Sequence, residues 1–251
     1  MDLTYYRNSD TEKERTADLI TLIPDDCINT ALDIGARDGW FSILLAERFE
    51  QVVALDLEKP AISHPRIKSI KGNITSLDFD ADEFDLVFCA EVLEHIPSKQ
   101  LKIACSELQR VSKKYILIGV PFEQDIRVGR TRCYTCGRRN PPWGHVNSFD
   151  ELKLKGLFPL CCTRKISFIG KNDECTNSLS EFFLDFAGNP YGDYDQEEPC
   201  VYCGAKLLKP PQRNILQKIS TRIAFNLNNV QKHFRAAHPN WIHILFEKQV
   251  A

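Results

Sequence analysis

Two short patterns repeat in this chain, Cys133-Tyr-Thr-Cys136-Gly137 and Cys200-Val-Tyr-Cys203-Gly204. A Cys-x-x-Cys turn sets two sulfurs on one side of a tight hairpin, the glycine after it permits the backbone conformation required, and two such turns complete a tetrahedral thiolate shell. The chemistry expected is a closed, structural Zn2+ site made by Cys133, Cys136, Cys200 and Cys203. It is favoured over three other uses: unpaired buried thiols, a redox dithiol, or a site in which His145, Cys161 or Cys162 replaces one ligand. A second constellation lies earlier. In TALDIGARDGWFS, Thr30 to Ser42, an apolar run enters a turn with Gly35 and Gly39 and then helix-forming sequence, and the next apolar run, QVVALDLE, carries Asp56 at its tip. Glycines let backbone approach a ligand, the helix N-terminus offers unpaired N–H groups, and Asp56 can accept hydrogen bonds from ribose hydroxyls, so a nucleotide-like ligand is expected. Gly35-Ala36-Arg37-Asp38-Gly39 has no third glycine at the offset of G-x-G-x-x-G, and NAD is not the first choice.

The elements that must hold these groups alternate. A helix is expected around Thr11 to Ile23, strands near 30–34, 51–56, 67–71, 84–89 and 115–120, and helices between several of them. This is the pattern of a doubly wound α/β sheet. After the glycine turn, Phe41, Leu44, Leu45 and Phe49 share one helical face and read as core. The segment EKPAISHPRI holds two prolines, so the helix after Asp56 should be short or absent, and His64 is a loop residue. Cys27, Cys89, Cys105 and Cys175 read as packing or loop residues, and the Cys161-Cys162 pair has no assigned role.

The glycine turn resembles the first motif of class I S-adenosylmethionine (SAM) dependent methyltransferases, D-x-G-x-G-x-G, with Arg37 at the middle glycine. KGNITSLDFDADEFDLVFCAEVLEHIP is similar to the type-11 branch of that family, and HVNSFDELKLKGLF matches in part a later family segment. The resemblance covers Thr30 to about Gly170, and WIHILFEK (241–248) resembles the closing seventh strand. It implies a Rossmann-like, seven-stranded methyltransferase sheet with a zinc-binding insertion. It implies SAM as cofactor, held by Asp33, Gly35, Arg37, Gly39, Asp56, Asn73, Ile74, Cys89 and Ala90, with Asn73 accepting from the adenine amino group and the Ile74 N–H serving the ring. Asp85 is expected to be structural. If a hydroxyl is methylated, the candidate bases are His145, His95, Glu91 and Glu123, in that order.

The expected organisation is a SAM-binding core over 1–122, the first zinc knuckle over 123–145, a core continuation over 146–170, an insertion with the second knuckle over 171–212, and helix plus closing strand over 213–251. Around the first knuckle, Arg127, Arg130, Arg132, Arg138 and Arg139 cluster with Tyr134 and Trp143. This could hold an anionic substrate, stack on RNA, or be a solvated loop. In NILQKISTRIAFNLNNVQKHF, Ile215, Ile219, Ile223 and Leu227 form a stripe expected to pack on the sheet or on a partner rather than on a membrane.

The 251 residues, 43% hydrophobic and 26% charged, suit one α/β domain with insertions, and a formal net charge of -2 argues against binding nucleic acid through global electrostatics. Without a signal-like N-terminus or a bilayer-length apolar run, a soluble, cytoplasmic chain is expected. The expected function is methyl transfer from SAM to a small-molecule or sugar acceptor, at oxygen. Two alternatives stand beside it: an RNA or protein methyltransferase that recognises its target through the zinc-arginine lobe, and a non-catalytic zinc-organised module on a SAM fold.

Overall fold

A computed structural model of the chain describes residues 7, 9–26 and 29–249, and Cys27 lies outside them. In chain order the elements are α1 (Asp10–Leu22), β1 (Thr30–Ile34), α2 (Trp40–Ala46), β2 (Gln51–Asp56), β3 (Ile67–Lys71), β4 (Phe84–Ala90), α3 (Ser98–Val111) and β5 (Ser112–Pro121). There follow β6 (Thr131–Arg132), β7 (Arg139–Asn140), α4 (Glu151–Leu157), β8 (Cys161–Ile169), α5 (Ser178–Phe186), α6 (Ile215–Lys232) and β9 (Trp241–Lys248). The chain divides into two units. Glu123–Ser148 and Lys171–His238 make one, and the remaining described residues make the core.

The core is a seven-stranded sheet in the order β3-β2-β1-β4-β5-β9-β8. The first five strands run parallel, and β9 is antiparallel to both β5 and β8. Central strands of such a sheet are covered on both faces and read as continuous apolar runs. In accord with this, β1, β4 and β5 are buried along most of their lengths, whereas the edge strand β3, IKSIK, stays partly exposed. Successive side chains point to opposite faces. Leu32, Ile34 and Val87 therefore join a cluster with Leu108 and Phe149, while Ala31, Leu86 and Phe88 join Leu19, Leu45 and Phe49 in another. Residues 57–66 contain no helix, as the prolines dictate. Asp85 ties the starts of β1 and β4, its Oδ2 accepting from the Thr30 N–H at 3.1 Å.

Helix α1 is fastened by buried polar groups. Asp18 accepts from Ser167 Oγ at 2.7 Å and sits 2.6 Å from Nδ1 of the fully buried His243. On the same helical stripe as Leu19 and Leu22 lie Glu12 and Arg15, both buried and ion-paired at 2.6 Å.

In the second unit, β6 and β7 form a hairpin, and α5 packs antiparallel to α6. Ser220 Oγ donates to the Phe183 carbonyl at 2.7 Å, and Asn177 Nδ2 donates to Gln231 Oε1 at 2.7 Å. Two expectations change here. The helix grouped with the core in the 213–251 division belongs to this unit, and the chain returns to the core after His238. Its apolar stripe does not pack on the sheet: α6 buries Ser220, Thr221 and Ala224, while Ile215, Ile219 and Ile223 are exposed. Small residues win the contact because they let the two helix backbones approach closely.

Candidate cofactor cradle and metal centre

The sheet order reverses direction between β1 and β4, and open α/β sheets bind ligands beyond the carboxyl ends of strands at such a switch point. Gly35 follows β1 there with φ +77°, and a Cβ at this position would collide with Val92. Gly39, φ +86°, caps α2 and would collide with Ile62. Arg37 adopts φ 48° between them. A left-handed conformation costs a residue with a Cβ roughly 1–2 kcal/mol. It is offset here because the Arg37 N–H reaches Asp56 Oδ2 at 2.8 Å.

Asp33 is buried at the end of β1 and accepts from Ser42 Oγ at 2.5 Å. Burial pushes its carboxyl up to about 7, the Ser42 hydroxyl opposes the rise, and the charge of Asp56 adds to it. Asn73 shapes its own loop: Oδ1 accepts from the Thr75 N–H at 3.0 Å and from Thr75 Oγ1 at 2.9 Å. With both lone pairs engaged, what this side chain offers a ligand is its Nδ2 hydrogens rather than the acceptor expected from the sequence. Ile74 is buried beside it.

At the carboxyl end of β4, Cys89 is buried, and its thiol is pushed well up by burial. Ala90 and Glu91 follow, Glu91 at φ 57° with its N–H on the Gly119 carbonyl at 2.9 Å. Glu91 lies 3.5 Å from Arg15, and loss of water raises its carboxyl pKa although Arg15 opposes the shift. A short 3-10 turn, Leu93–His95, carries the fully buried Glu94, neither of whose carboxyl oxygens has a hydrogen-bond partner among the described residues. Burial, and then the charge of Glu91, push its carboxyl pKa well up. Glu12 and Arg15 were missed in the sequence. Their signal was the placement of charges on the stripe that Leu19 and Leu22 continue into the core.

Of the candidate bases, Glu91 and His95 stand in the core, Glu123 and His145 in the second unit. Glu123 is exposed. Nδ1 of the buried His145 lies 2.6 Å from Gln124 Oε1. A carbonyl oxygen accepts, so the proton belongs on Nδ1 and Nε2 is the basic nitrogen.

In the second unit the two knuckles repeat each other. The Gly137 and Gly204 N–H groups each bond the carbonyl four residues back, on Cys133 and Cys200, at 2.8 Å, and both glycines have φ near +70°. Cys133 N–H bonds the Arg138 carbonyl at 3.0 Å, and Cys200 N–H bonds Ala205 at 2.9 Å. The four sulfurs lie within 4.8 Å of one another. Cys133 and Cys203 are 3.6 Å apart, Cys136 and Cys200 3.8 Å. Thiolates at about 2.3 Å from a tetrahedral ion stand about 3.8 Å apart, so the donor set fits Zn2+. Backbone N–H groups of Cys136 and Thr135 draw the Cys133 thiol down to about 6. Cys105 and Cys161, in contrast, are pushed up by burial to about 12 and about 11.

Three of the five arginines around the first knuckle are engaged by acids. Arg127 pairs with Asp125 at 2.8 Å and Glu181 at 3.3 Å, Arg130 with Glu181 and Asp185 at 2.7 Å each, and Arg139 with Asp185 at 2.9 Å. Arg138 stacks on Tyr202. Trp143 and Tyr134 are exposed.

Residues 32–116 match the family model for a methyltransferase domain of type 11. The structure is similar, at a TM-score of 0.57 and 15% identity, to the N-methyltransferase NodS from Bradyrhizobium japonicum in complex with S-adenosyl-L-homocysteine, covering 100% of this chain and 94% of that one. The fold is that of a class I SAM-dependent methyltransferase. A second structure with this methyltransferase fold, 1,6-didemethyltoxoflavin-N1-methyltransferase from Burkholderia thailandensis with bound 1,6-didemethyltoxoflavin and S-adenosylhomocysteine, aligns at a TM-score of 0.57 and 10% identity over 98% of this chain and 82% of that one. Among curated proteins, a ubiquinone biosynthesis O-methyltransferase from Hahella chejuensis is 31% identical over 84 residues, 29% of this chain and 35% of the relative. The match thus spans about a third of that methyltransferase. No helix among the described residues is long and apolar enough to cross a membrane.

Proposed function

We propose that this chain is a SAM-dependent methyltransferase acting on a small-molecule or sugar acceptor, at oxygen, with a structural zinc ion in its second unit. The observation that carries the reading is the hydrogen bond from the Arg37 N–H to Asp56 Oδ2 at the switch point of a sheet with methyltransferase topology. The bond fixes the Asp56 carboxylate beside the glycine turn, where it would receive the ribose hydroxyls of SAM. Gly35 and Gly39 would admit the ligand's approach, and Asp33, tied to Ser42, would hold the turn in place. Bound SAM supplies an electrophilic methyl group. The protein's part is to orient the acceptor and exclude water. His145, its Nδ1 2.6 Å from Gln124 Oε1, remains the first candidate base, ahead of His95, Glu91 and Glu123.

The preference for oxygen is supported by the similarity to a ubiquinone biosynthesis O-methyltransferase. Recognition of RNA or protein through the arginine lobe is disfavoured, because Arg127, Arg130 and Arg139 are already paired. The four-thiolate geometry supports a structural role for zinc, since no ligand position is left open.

Calorimetry with SAM, followed by transfer of a labelled methyl group to a panel of phenolic, sugar and amine acceptors, tests this reading. Micromolar binding with transfer to a hydroxyl acceptor is the expected result. Binding without transfer to any acceptor would favour the non-catalytic module, and no binding at all would sink the cofactor assignment.

A further inference from the structure

The second unit exposes an apolar stripe that has no use in methyl transfer. On α6, Ile215 is 75% exposed, Leu216 66%, Ile219 49%, Ile223 38% and Val230 58%, and Phe234 just beyond the helix is 87% exposed. At one helical turn per 3.6 residues the five helix positions fall within an arc of about 100°. The residues that α6 buries against α5 are Ser220, Thr221 and Ala224, so the stripe is not spent on holding the helix pair together.

Charge decides what could cover it. Residues 210–238 contain Arg213, Lys218, Arg222, Lys232 and Arg235 and not one Asp or Glu, in a chain whose formal net charge is -2. Lys232 pairs with Asp173, and Arg213 stacks on Tyr191. Lys218, Arg222 and Arg235 are exposed and make no ion pair among the described residues. By helical spacing, Lys218 and Arg222 line one border of the stripe. The acids of the neighbouring helix, Glu181 and Asp185, are engaged by Arg127, Arg130 and Arg139.

An apolar stripe with a cationic border and no anions fits the boundary between acyl chains and anionic headgroups. A second copy of the same helix fits it poorly, because a two-fold contact would set Lys218 and Arg222 against their own equivalents. We infer that α6 docks the protein reversibly on an anionic lipid surface, with Ile215, Leu216, Ile219, Ile223 and Val230 entering the interface and Lys218 and Arg222 on the headgroups.

Vesicle flotation with the full chain tests this, comparing phosphatidylcholine vesicles with vesicles that also contain phosphatidylglycerol, at low and high salt. The expected result is flotation with the anionic vesicles at low salt, weakened by salt and absent with phosphatidylcholine alone. Affinity should fall about fivefold for each of Lys218→Gln and Arg222→Gln. It should be lost in Leu216→Glu with Ile219→Glu, exposed sites where thermal unfolding should be unchanged. Failure of the unsubstituted protein to float with anionic vesicles overturns the proposal whatever the variants do. So does a dimer in solution that the Leu216→Glu/Ile219→Glu pair dissociates without any vesicle binding, because the stripe then belongs to a second copy.

Discussion

The Arg37 N–H donates to Asp56 Oδ2 at 2.8 Å, joining the turn after β1 to the tip of β2. A turn residue without glycine's freedom is thereby held in a left-handed conformation by the same carboxylate assigned to the ribose. Asp56→Ala should remove both the ligand contact and the support of the turn. Hydrogen bonds to a charged group contribute about 1.5–3 kcal/mol, so SAM affinity should fall at least about tenfold by calorimetry. Asp56→Asn should retain part of it. Unchanged affinity in the alanine variant would remove Asp56 from the cradle.

Asp33 predicts a pH dependence. Its folded-state pKa, about 7, lies above the unfolded value of 3.8 because burial penalises the anion. In the folded protein the protonated form is preferred, so the stabilising difference is complete below pH 4 and is lost as pH rises from about 4 to 7. The integrated loss is roughly 4 kcal/mol. Asp33→Asn keeps an acceptor for Ser42 and has no charge to bury. Its urea-unfolding free energy, measured relative to the unsubstituted protein from pH 5 to 8, should therefore improve as pH rises. A difference that stays flat would contradict the buried-anion account.

The thiolate cluster predicts about one zinc ion per chain in protein purified without added metal. Cys136→Ser should reduce the zinc content sharply and expose the amides of the second unit to hydrogen exchange, while the sheet keeps its protection. A fully protected second unit in metal-free protein would refute the zinc assignment.

Arg130 is only 11% exposed and bridges Glu181 and Asp185. Removing one member of a buried ionic network leaves its partners uncompensated, so Arg130→Ala should cost about 3 kcal/mol, read as lost protection of α5. The competing idea, that Arg130 grips an anionic acceptor, predicts instead a raised KM with stability intact.

The strand positions were legible because buried parallel strands read as near-continuous apolar runs, and TALDI, FDLVFC and YILIGV do so apart from Thr30, Asp33 and Asp85. The knuckles were legible because each is local: Cys133 bonds Gly137, and Cys200 bonds Gly204, within five residues. The use of the arginine lobe stayed open in the sequence for the opposite reason. The acids that neutralise Arg130 lie 51 and 55 residues away, and nothing near the arginines in the chain announces them. The outward face of α6 was equally hidden, because a periodic stripe states that a helix is amphipathic and not which side is covered. Glu12 and Arg15 left a trace, charges on a core stripe, that only becomes meaningful once Glu91 is placed beside them.

The placement of the last strand has a consequence for how the molecule is made. The ribosome releases the second knuckle before it releases β9, and β9 must still slot between β5 and β8 to complete the sheet. Cys133 and Cys203, 70 residues apart, can thus be cross-linked by metal while the sheet is unfinished. A zinc clip would then shorten the chain path from β5 to β9, because Cys133 follows β5 and Cys203 precedes β9, so that the final strand searches for its slot beside β5 from a tethered start.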